Sequence, residues 1–197
     1  MRRNETVLDL LLELQTLDRV PRMGFVLRGV ADPESVAEHS WHVVTIVWAL
    51  APGIAGVDAA RAVEIALVHD LAELRLGDLP RTAARYLAGA KNPAEMAAMR
   101  EILAPLGERG LALYAEYQAG SSPEARLVKA CDKLQLMLKV AVYERWGEGG
   151  LAEFWDNPEN FPDGGFPEVR SVFDELRARR ARGTRAVVSR PTNGDLE

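Results

Sequence analysis

The chain contains 197 residues, and its 24 lysines and arginines against 29 aspartates and glutamates give a net charge of −5. This balance argues against non-specific attraction to nucleic acid or to an anionic membrane, and it favours a small-molecule ligand. The length is typical of a single domain.

Apolar residues recur at three- and four-residue spacing along the chain, and long β-branched runs are missing, so the sequence predicts an all-α fold. Asp58 is a plausible N-cap for the third helix, Gly77 should stop it, and Pro123 suits the first turn of the longest helix. The predicted helices cover residues 8–14, about 34–50, about 58–77, 93–105, 108–118, 123–146 and 167–181.

The compartment can also be predicted. Acidic residues such as Glu5, Asp9 and Glu13 interrupt the N-terminal segment, which therefore lacks the apolar core of a signal peptide, and no apolar run reaches membrane-spanning length. The single cysteine, Cys131, cannot form an internal disulfide and is expected in the core. We predict a cytoplasmic protein with no membrane partner and no nucleic-acid partner.

We predict one domain over residues 1–182, with a core at about 5–146 and a C-terminal helix at about 167–181. The six arginines between positions 177 and 190 are explained by a solvated helix end that runs into a disordered tail at 183–197. The alternative is a phosphate-attracting arm, but the segment has no interleaved aromatic residues that would stack on nucleic-acid bases.

Four polar residues lie inside apolar, helix-like runs. His69 and Asp70 are adjacent, so their side chains leave a helix about 100° apart. Both can bind one ion only if the ion lies between the two side-chain directions. His39 and Asp132 on other predicted helices can supply further ligands. Two imidazoles and two carboxylates suit zinc or a divalent transition metal, and the carboxylates also tolerate manganese or magnesium. A metal would explain acids at positions where burial is unfavourable.

Taken singly, these residues have a more ordinary interpretation, because a lone His39 or Asp132 is more often a hydrogen-bonded residue than a metal ligand. Together they are more persuasive, since separate predicted helices each bring a suitable side chain flanked by apolar neighbours. Glu73 lies one turn after His69 and shares its helix face. We assign His42 to packing or hydrogen bonding.

The motifs resemble those of a known family. The "EH" at 38–39, the "HD" at 69–70 and the distant helical Asp132 resemble the signature of the HD-domain metal-dependent phosphohydrolases. The strings "PESVAEHSWHV" and "HDLAELRLGDLP" are similar to the 5′-deoxynucleotidase branch, and the likeness extends over roughly residues 5–146. The resemblance implies a single globular helical bundle, often a homodimer, that acts on nucleoside monophosphates. It also implies one divalent ion (Mn, Co, Ni, Fe, Zn or Mg) held by His39, His69, Asp70 and Asp132.

The same resemblance suggests two catalytic acids. Glu73 matches the acid of the "HDxxE" motif that helps to position the attacking water. Asp78 of "GDLP" matches an acid that lies beside the substrate and its phosphate.

The chain departs from the family in the loop before His39. The deoxynucleotidases have a phosphate-binding arginine there that is followed by tryptophan, whereas this loop is "PRMGFVLRG". Arg22 and Arg28 are the candidate phosphate contacts, and Phe25 could wall off the sugar. If neither arginine holds phosphate, Lys133 is the next candidate.

The residues themselves favour metal-assisted hydrolysis, since a metal lowers the pKa of its bound water and a nearby carboxylate can orient or deprotonate that water. The sequence has no P-loop, no cysteine nucleophile motif and no pair of Glu-x-x-His motifs for a di-iron bundle. We predict hydrolysis of a (deoxy)nucleoside 5′-monophosphate. The alternatives are hydrolysis of another nucleotide phosphoester, such as a triphosphate or a signalling nucleotide, and a metal-stabilised nucleotide-binding module without turnover.

Overall fold

The computed structural model describes residues 3–87 and 89–183. Within these residues the chain is helical, and its extended segments form only an isolated bridge between Pro21 and Ser35. The prediction of an all-α helical bundle is confirmed. The helices are α1 Val7–Leu14, α2 Met23–Val26, α3 Val36–Leu50, α4 Ala59–Val68, α5 Glu73–Leu76, α6 Arg81–Ala84, α7 Lys91–Ile102, α8 Glu108–Ala119, α9 Pro123–Arg145, α10 Ala152–Asp156 and α11 Pro167–Ala181.

Side-chain caps fix where the major helices begin. At α3, Ser35 Oγ accepts a hydrogen bond from Glu38 N, and the Glu38 carboxylate accepts one from Ser35 N at 2.7 Å. Asp58 caps α4 as predicted, and Ser122 caps α9 with Pro123 in its first turn. The glutamate of the "EH" dipeptide therefore serves to start the helix that carries the histidine.

The prediction of one continuous third helix is wrong at residues 69–72, where a turn separates α4 from α5. The His69 Nδ1 atom lies 2.7 Å from the carbonyl oxygen of Ala66. In a continuous helix that carbonyl would accept from Asp70 N, so the imidazole competes with the regular ladder. Gly77, at φ +71°, ends α5 as the sequence predicts.

Helix α9 lies at the centre of the bundle and packs against α3, α4, α8 and α11. Because α3 and α4 both pack on α9, the start of α3, the end of α4 and the middle of α9 meet at one place. Apolar side chains from these helices form a continuous buried core that includes Val43, Val47, Ile65, Met99, Leu127, Leu134 and Met137.

The C-terminal helix α11 has the predicted bounds, but the segment before it contains helical turns that were not expected. The Gly- and Pro-rich segment between α9 and α11 contains α10 and a 3-10 turn at Pro158–Asn160, which the sequence did not predict. Apart from Gly183, the predicted disordered tail at 183–197 lies outside the described residues. No helix in the described part of the chain combines the length and apolar character needed to cross a membrane.

Candidate metal centre and active site

Two buried histidines, His39 on α3 and His69 after α4, direct their Nε2 atoms toward the same place. Their ring centroids are 5.6 Å apart. The Nδ1 atom of His39 lies 2.6 Å from Gln135 Oε1, and that of His69 lies 2.7 Å from the Ala66 carbonyl. Both Nε2 atoms are buried and have no hydrogen-bond partner among the described residues. A pair of buried nitrogens without partners is unfavourable unless a ligand completes them.

The carboxylates of Asp70 and Asp132 lie against these nitrogens. Asp70 Oδ2 is 3.2 Å from His69 Nε2 and 3.3 Å from His39 Nε2. Asp132 Oδ1, which α9 contributes, is 3.2 Å from His39 Nε2. One donor atom from each of His39, His69 and Asp70 falls within 4.8 Å of the others, and Asp132 joins this group from the His39 side.

These donors fit a divalent metal ion. Imidazole nitrogens and carboxylate oxygens are ligands for zinc and the first-row divalent ions, and both histidines offer the unbonded nitrogen that a metal requires. Their other nitrogens are already held by acceptors, which fixes the orientation of each ring. We name His39, His69, Asp70 and Asp132 the metal cluster.

The electrostatics of the metal cluster favour a cation. Burial alone would raise the pKa of Asp70, but His69 and His39 hold it well below the usual carboxyl value. Burial would also raise the pKa of Asp132, but Lys133 and His39 lower it below the usual carboxyl value. Burial opposes a charge on His39, yet its contacts with Asp132 and Asp70 raise its pKa to about 9. Positive charge is therefore strongly stabilised at this point.

Glu73 lies at the start of α5, beside the metal cluster. Its Oε2 atom is buried and has no hydrogen-bond partner in the described residues. Burial and the negative charge of Asp70 raise the pKa of Glu73 to about 10. A carboxyl with such a pKa holds its proton at neutral pH, and a nearby divalent cation would favour its ionised form. This is the environment expected of a group that exchanges a proton during a reaction.

Arg22 reaches into the site from the loop before α3. Its Nη1 atom lies 3.6 Å from Asp70 Oδ2 and 3.5 Å from Asp78 Oδ1. Burial opposes its charge, but Asp78 and Asp70 keep its pKa above the usual range. The loop is fastened by two hydrogen bonds, from Arg22 N to the carbonyl of Glu34 and from Met23 N to Asp78 Oδ2 at 2.6 Å. Asp78 therefore holds the arginine loop as well as lining the cavity.

Arg28 and Phe25 occupy different places from Arg22. Arg28 lines the cavity, pairs with Glu153, donates to the carbonyl of Gly24 and lies over the Phe154 ring. Phe25 is only 1% exposed, and its ring packs edge-on against Tyr143 at 4.9 Å. Phe25 belongs to the core but also borders the cavity, where its small exposure leaves little ring surface to face a sugar.

The metal cluster opens into a cavity of about 1110 Å³. This volume is sufficient for a nucleotide, since ligand pockets are commonly roughly 300 to 1,000 Å³. Lys133, which lines the cavity, lies 3.2 Å from Asp132 Oδ2. Lys129, one helical turn earlier on α9, lies over the ring of Tyr117 and also lines the cavity. The side chains that line the cavity include Arg22, Arg28, His69, Asp70, Glu73, Asp78, Tyr117, Lys129, Asp132, Lys133 and Phe154.

Comparison with known proteins identifies the family. The family model described as an HD domain matches residues 14–167. The chain belongs to the HD-domain family. A relative from Danio rerio, named 5′-deoxynucleotidase HDDC2, is 36% identical over 188 residues, which is 91% of this chain and 90% of the relative. The Homo sapiens protein of the same name is 33% identical over 194 residues, with coverage of 94% and 92%. A conserved hypothetical protein from Pyrococcus furiosus has a similar structure, with a TM-score of 0.75, 35% identity and coverage of 87% of this chain and 99% of that one.

The family assignment confirms the resemblance seen in the sequence, but sequence reasoning missed several residues of this HD-domain site. Gln135 and Glu34 contact His39 and each other, and neither was predicted. A signal existed for Gln135, which lies three residues after Asp132 and so shares a face of α9 with it. His42, assigned to packing or hydrogen bonding, has its Nδ1 atom 3.7 Å from Glu34 Oε2, and that atom has no hydrogen-bond partner among the described residues.

Proposed function

We propose that this HD-domain protein is a metal-dependent phosphohydrolase that releases phosphate from a (deoxy)nucleoside 5′-monophosphate. The observation that carries the proposal is the convergence of His39 Nε2, His69 Nε2 and the Asp70 carboxylate at one end of a nucleotide-sized cavity. Glu73 and Arg22 lie beside this cluster and can serve proton transfer and phosphate binding.

The relatives support the substrate class. The Danio rerio and Homo sapiens proteins, both named 5′-deoxynucleotidase, align with nearly the whole chain at 36% and 33% identity. A shared HD-domain fold alone would not select a substrate. The proposal therefore depends on these names together with the site geometry.

The residues have separable tasks. A divalent ion held by His39, His69, Asp70 and Asp132 would lower the pKa of a bound water and offset negative charge on the phosphate. In the ionised form that a bound divalent ion would favour, Glu73 is suited to accept the proton of the attacking water, because its Oε2 atom faces no competing donor among the described residues. Hydrolysis forms a new bond from the water oxygen to phosphorus and breaks the bond from phosphorus to the 5′ oxygen. The 5′ oxygen takes up one proton, equivalent to the one that Glu73 accepted from the water, so the nucleoside leaves as the hydroxyl and the carboxylate is regenerated.

Arg22 is the better of the two loop arginines for phosphate binding. Its guanidinium is buried beside Asp70, and the contacts seen there use Nη1 alone, at 3.5 and 3.6 Å. A guanidinium can present two parallel N–H groups to a phosphate. Arg28 instead pairs with Glu153, whose side chain is 57% exposed. We assign to Lys133 a supporting role, since its ammonium already neutralises Asp132.

The sugar and base contacts are assigned to the part of the cavity that Arg28 and Phe154 line. Phe25 and Phe154 both line the cavity, but Phe25 is buried whereas Phe154 of α10 is half-buried and exposes more of its ring. A single aromatic wall discriminates modestly, so we expect the ratio of kcat/KM for matched deoxyribo- and ribo-monophosphates to stay below about a thousandfold, or about 4 kcal/mol. A larger preference, measured with the same base on both sugars, would require a polar contact to the 2′ position.

The decisive experiment measures phosphate release from a panel of nucleoside mono-, di- and triphosphates. Chelator-treated protein receives each divalent metal separately, and H69A protein purified in parallel reports contaminating phosphatase. We expect metal-dependent release from 5′-monophosphates. Release from triphosphates alone would favour the other phosphoester activity, and metal binding with no hydrolysis of any nucleotide would favour a binding module.

We also propose a homodimer that covers exposed apolar side chains. Trp41 and Trp48 lie two turns apart on α3 and are 66% and 69% exposed, and Leu8 and Leu12 of α1 are exposed as well. Burial of large aromatic side chains is a strong contribution to association. Sedimentation equilibrium of wild type and of the W41E/W48E variant tests this, with a dimer and a monomer expected respectively. A monomeric wild type at high concentration would refute it.

A cytoplasmic location is part of the same proposal. The buried free thiol of Cys131 supports it, because a reducing compartment preserves such a group. Fractionation of cells that produce the protein at its native level would test this location.

A further inference from the structure

His39 is connected to three residues behind the metal cluster. His39 Nδ1 lies 2.6 Å from Gln135 Oε1, and Gln135 Nε2 donates to Glu34 Oε2 at 2.9 Å and to Oε1 at 3.2 Å. Lys139 Nζ lies 3.0 Å from Glu34 Oε2. Gln135 and Glu34 are both buried. We call Lys139, Glu34 and Gln135 the His39 relay.

The His39 relay determines which way the Gln135 amide faces. An ionised carboxylate only accepts hydrogen bonds, and the ammonium of Lys139 stabilises the ionised form of Glu34. The NH₂ group of Gln135 must therefore face Glu34, which leaves its carbonyl oxygen toward His39. Glu34 itself is 3.9 Å from His39 Nδ1, too far for a hydrogen bond, so Gln135 is the acceptor for this nitrogen.

The orientation matters because His39 has competing acceptors on its other side. Its Nε2 atom lies 3.3 Å from Asp70 and 3.2 Å from Asp132. An imidazole that binds a metal is neutral and carries one proton. Without an acceptor at Nδ1, the two carboxylates would favour that proton on Nε2. The Nε2 lone pair would then be lost as a metal ligand.

His69 is held differently. Its Nδ1 atom bonds the backbone carbonyl of Ala66, three residues earlier on the same chain segment. That acceptor remains whatever side chains surround it, whereas the acceptor for His39 depends on residues on α9 and before α3. The two metal-cluster histidines therefore differ in their sensitivity to mutation behind them.

We propose that Gln135 is a positioning residue that keeps the proton of His39 on Nδ1, and that Glu34 locks the amide of Gln135 in the orientation this requires. The inference rests on the metal site of the proposed function. It extends that site by two residues that do not touch metal or substrate.

The test compares Q135M, which keeps the length of the side chain but has no amide, with E34Q, which keeps the shape of Glu34 but can turn either amide atom toward Gln135. E124Q is the matched control, because Glu124 is a buried carboxylate that accepts from Asp58 N, far from the relay in sequence and contact. Zn²⁺ affinity is measured by competition with a chelator. We expect a loss of roughly 10- to 100-fold in Q135M, a smaller loss in E34Q and no change in E124Q.

A second measurement separates positioning from general damage. In Zn²⁺-loaded protein labelled with ¹⁵N-histidine, the Nδ1 proton of His39 should give a downfield resonance that moves in Q135M. The Nδ1 proton of His69, bonded to Ala66, serves as the internal reference and should stay in place. Thermal unfolding of the metal-free variants reports folding.

The outcomes are distinct. Wild-type protein that binds no divalent metal overturns the proposed function itself. Wild-type protein that binds Zn²⁺ while Q135M binds it equally well, or keeps the His39 resonance unchanged, overturns the positioning role of Gln135 alone. An effect in Q135M with none in E34Q removes Glu34 from the inference.

Discussion

Replacing Arg22 by lysine tests how phosphate is held. Lysine keeps a positive charge near Asp70 and Asp78, but it presents a point charge in place of a planar fork. If the guanidinium gives phosphate two parallel hydrogen bonds, lysine retains one of them. One charge-assisted hydrogen bond contributes about 1.5 to 3 kcal/mol, and each 1.36 kcal/mol is about tenfold in rate. We therefore expect kcat/KM to fall by roughly 10- to 150-fold in R22K.

The assay measures initial rates of phosphate release over a range of 5′-monophosphate concentrations, with bound metal quantified in every preparation. R28K is the comparison that separates the two loop arginines, and a change of less than about threefold is expected because Arg28 pairs with Glu153. R170K is a matched control, since Arg170 lies on α11 and pairs with the loop residue Asp163, outside the cavity lining.

Two results would refute the reasoning. Unchanged kcat/KM in R22K with a large loss in R28K would move the phosphate to Arg28. A loss of activity in R22K that follows loss of bound metal would mean that Arg22 supports the metal cluster and not the substrate.

Three further changes test other parts of the structure. Replacing Asp132 by alanine should weaken metal binding by orders of magnitude, and stoichiometric metal in the purified variant would remove Asp132 from the ligand set. E73Q should keep its metal but lose roughly a hundredfold or more in kcat, whereas a parallel loss of metal and rate would make Glu73 a ligand. E13Q should lower the free energy of unfolding at neutral pH by about 1 to 3 kcal/mol, because Glu13 accepts from Arg75 at 2.8 Å and from Asn4 at 2.7 Å. The hydrogen bond from Arg75 lowers the pKa of Glu13 against the opposing effect of burial. The stability difference between wild type and E13Q should therefore be present at neutral pH and shrink as the pH falls below about 4 in urea titrations. A difference that grows in acid would contradict the ion pair.

The sequence by itself determined most of the helical layout. Three- and four-residue apolar spacing locates the long helices, and local caps such as Ser35, Asp58 and Ser122 fix their starts. These signals involve residues close together in the chain, so they can be seen without a structure. The HD-domain motifs likewise singled out His39 and the His69–Asp70 pair. The fold brings one possible ligand atom of each of these residues within 4.8 Å of the others.

Only the tertiary structure decided the contacts between residues distant in sequence. Periodicity could not show that α4 ends before His69. The helix ends there because the His69 imidazole makes a hydrogen bond to the Ala66 carbonyl, and the orientation of that ring is set by residues from other helices. Nor could it show that Arg22, rather than Arg28, lies beside Asp70 and Asp78, since both arginines lie in one loop and another segment supplies the two carboxylates. The hydrogen bond between His39 and Gln135 joins residues 96 positions apart. Such a pairing has no local sequence pattern, because it is created when α3 and α9 pack together.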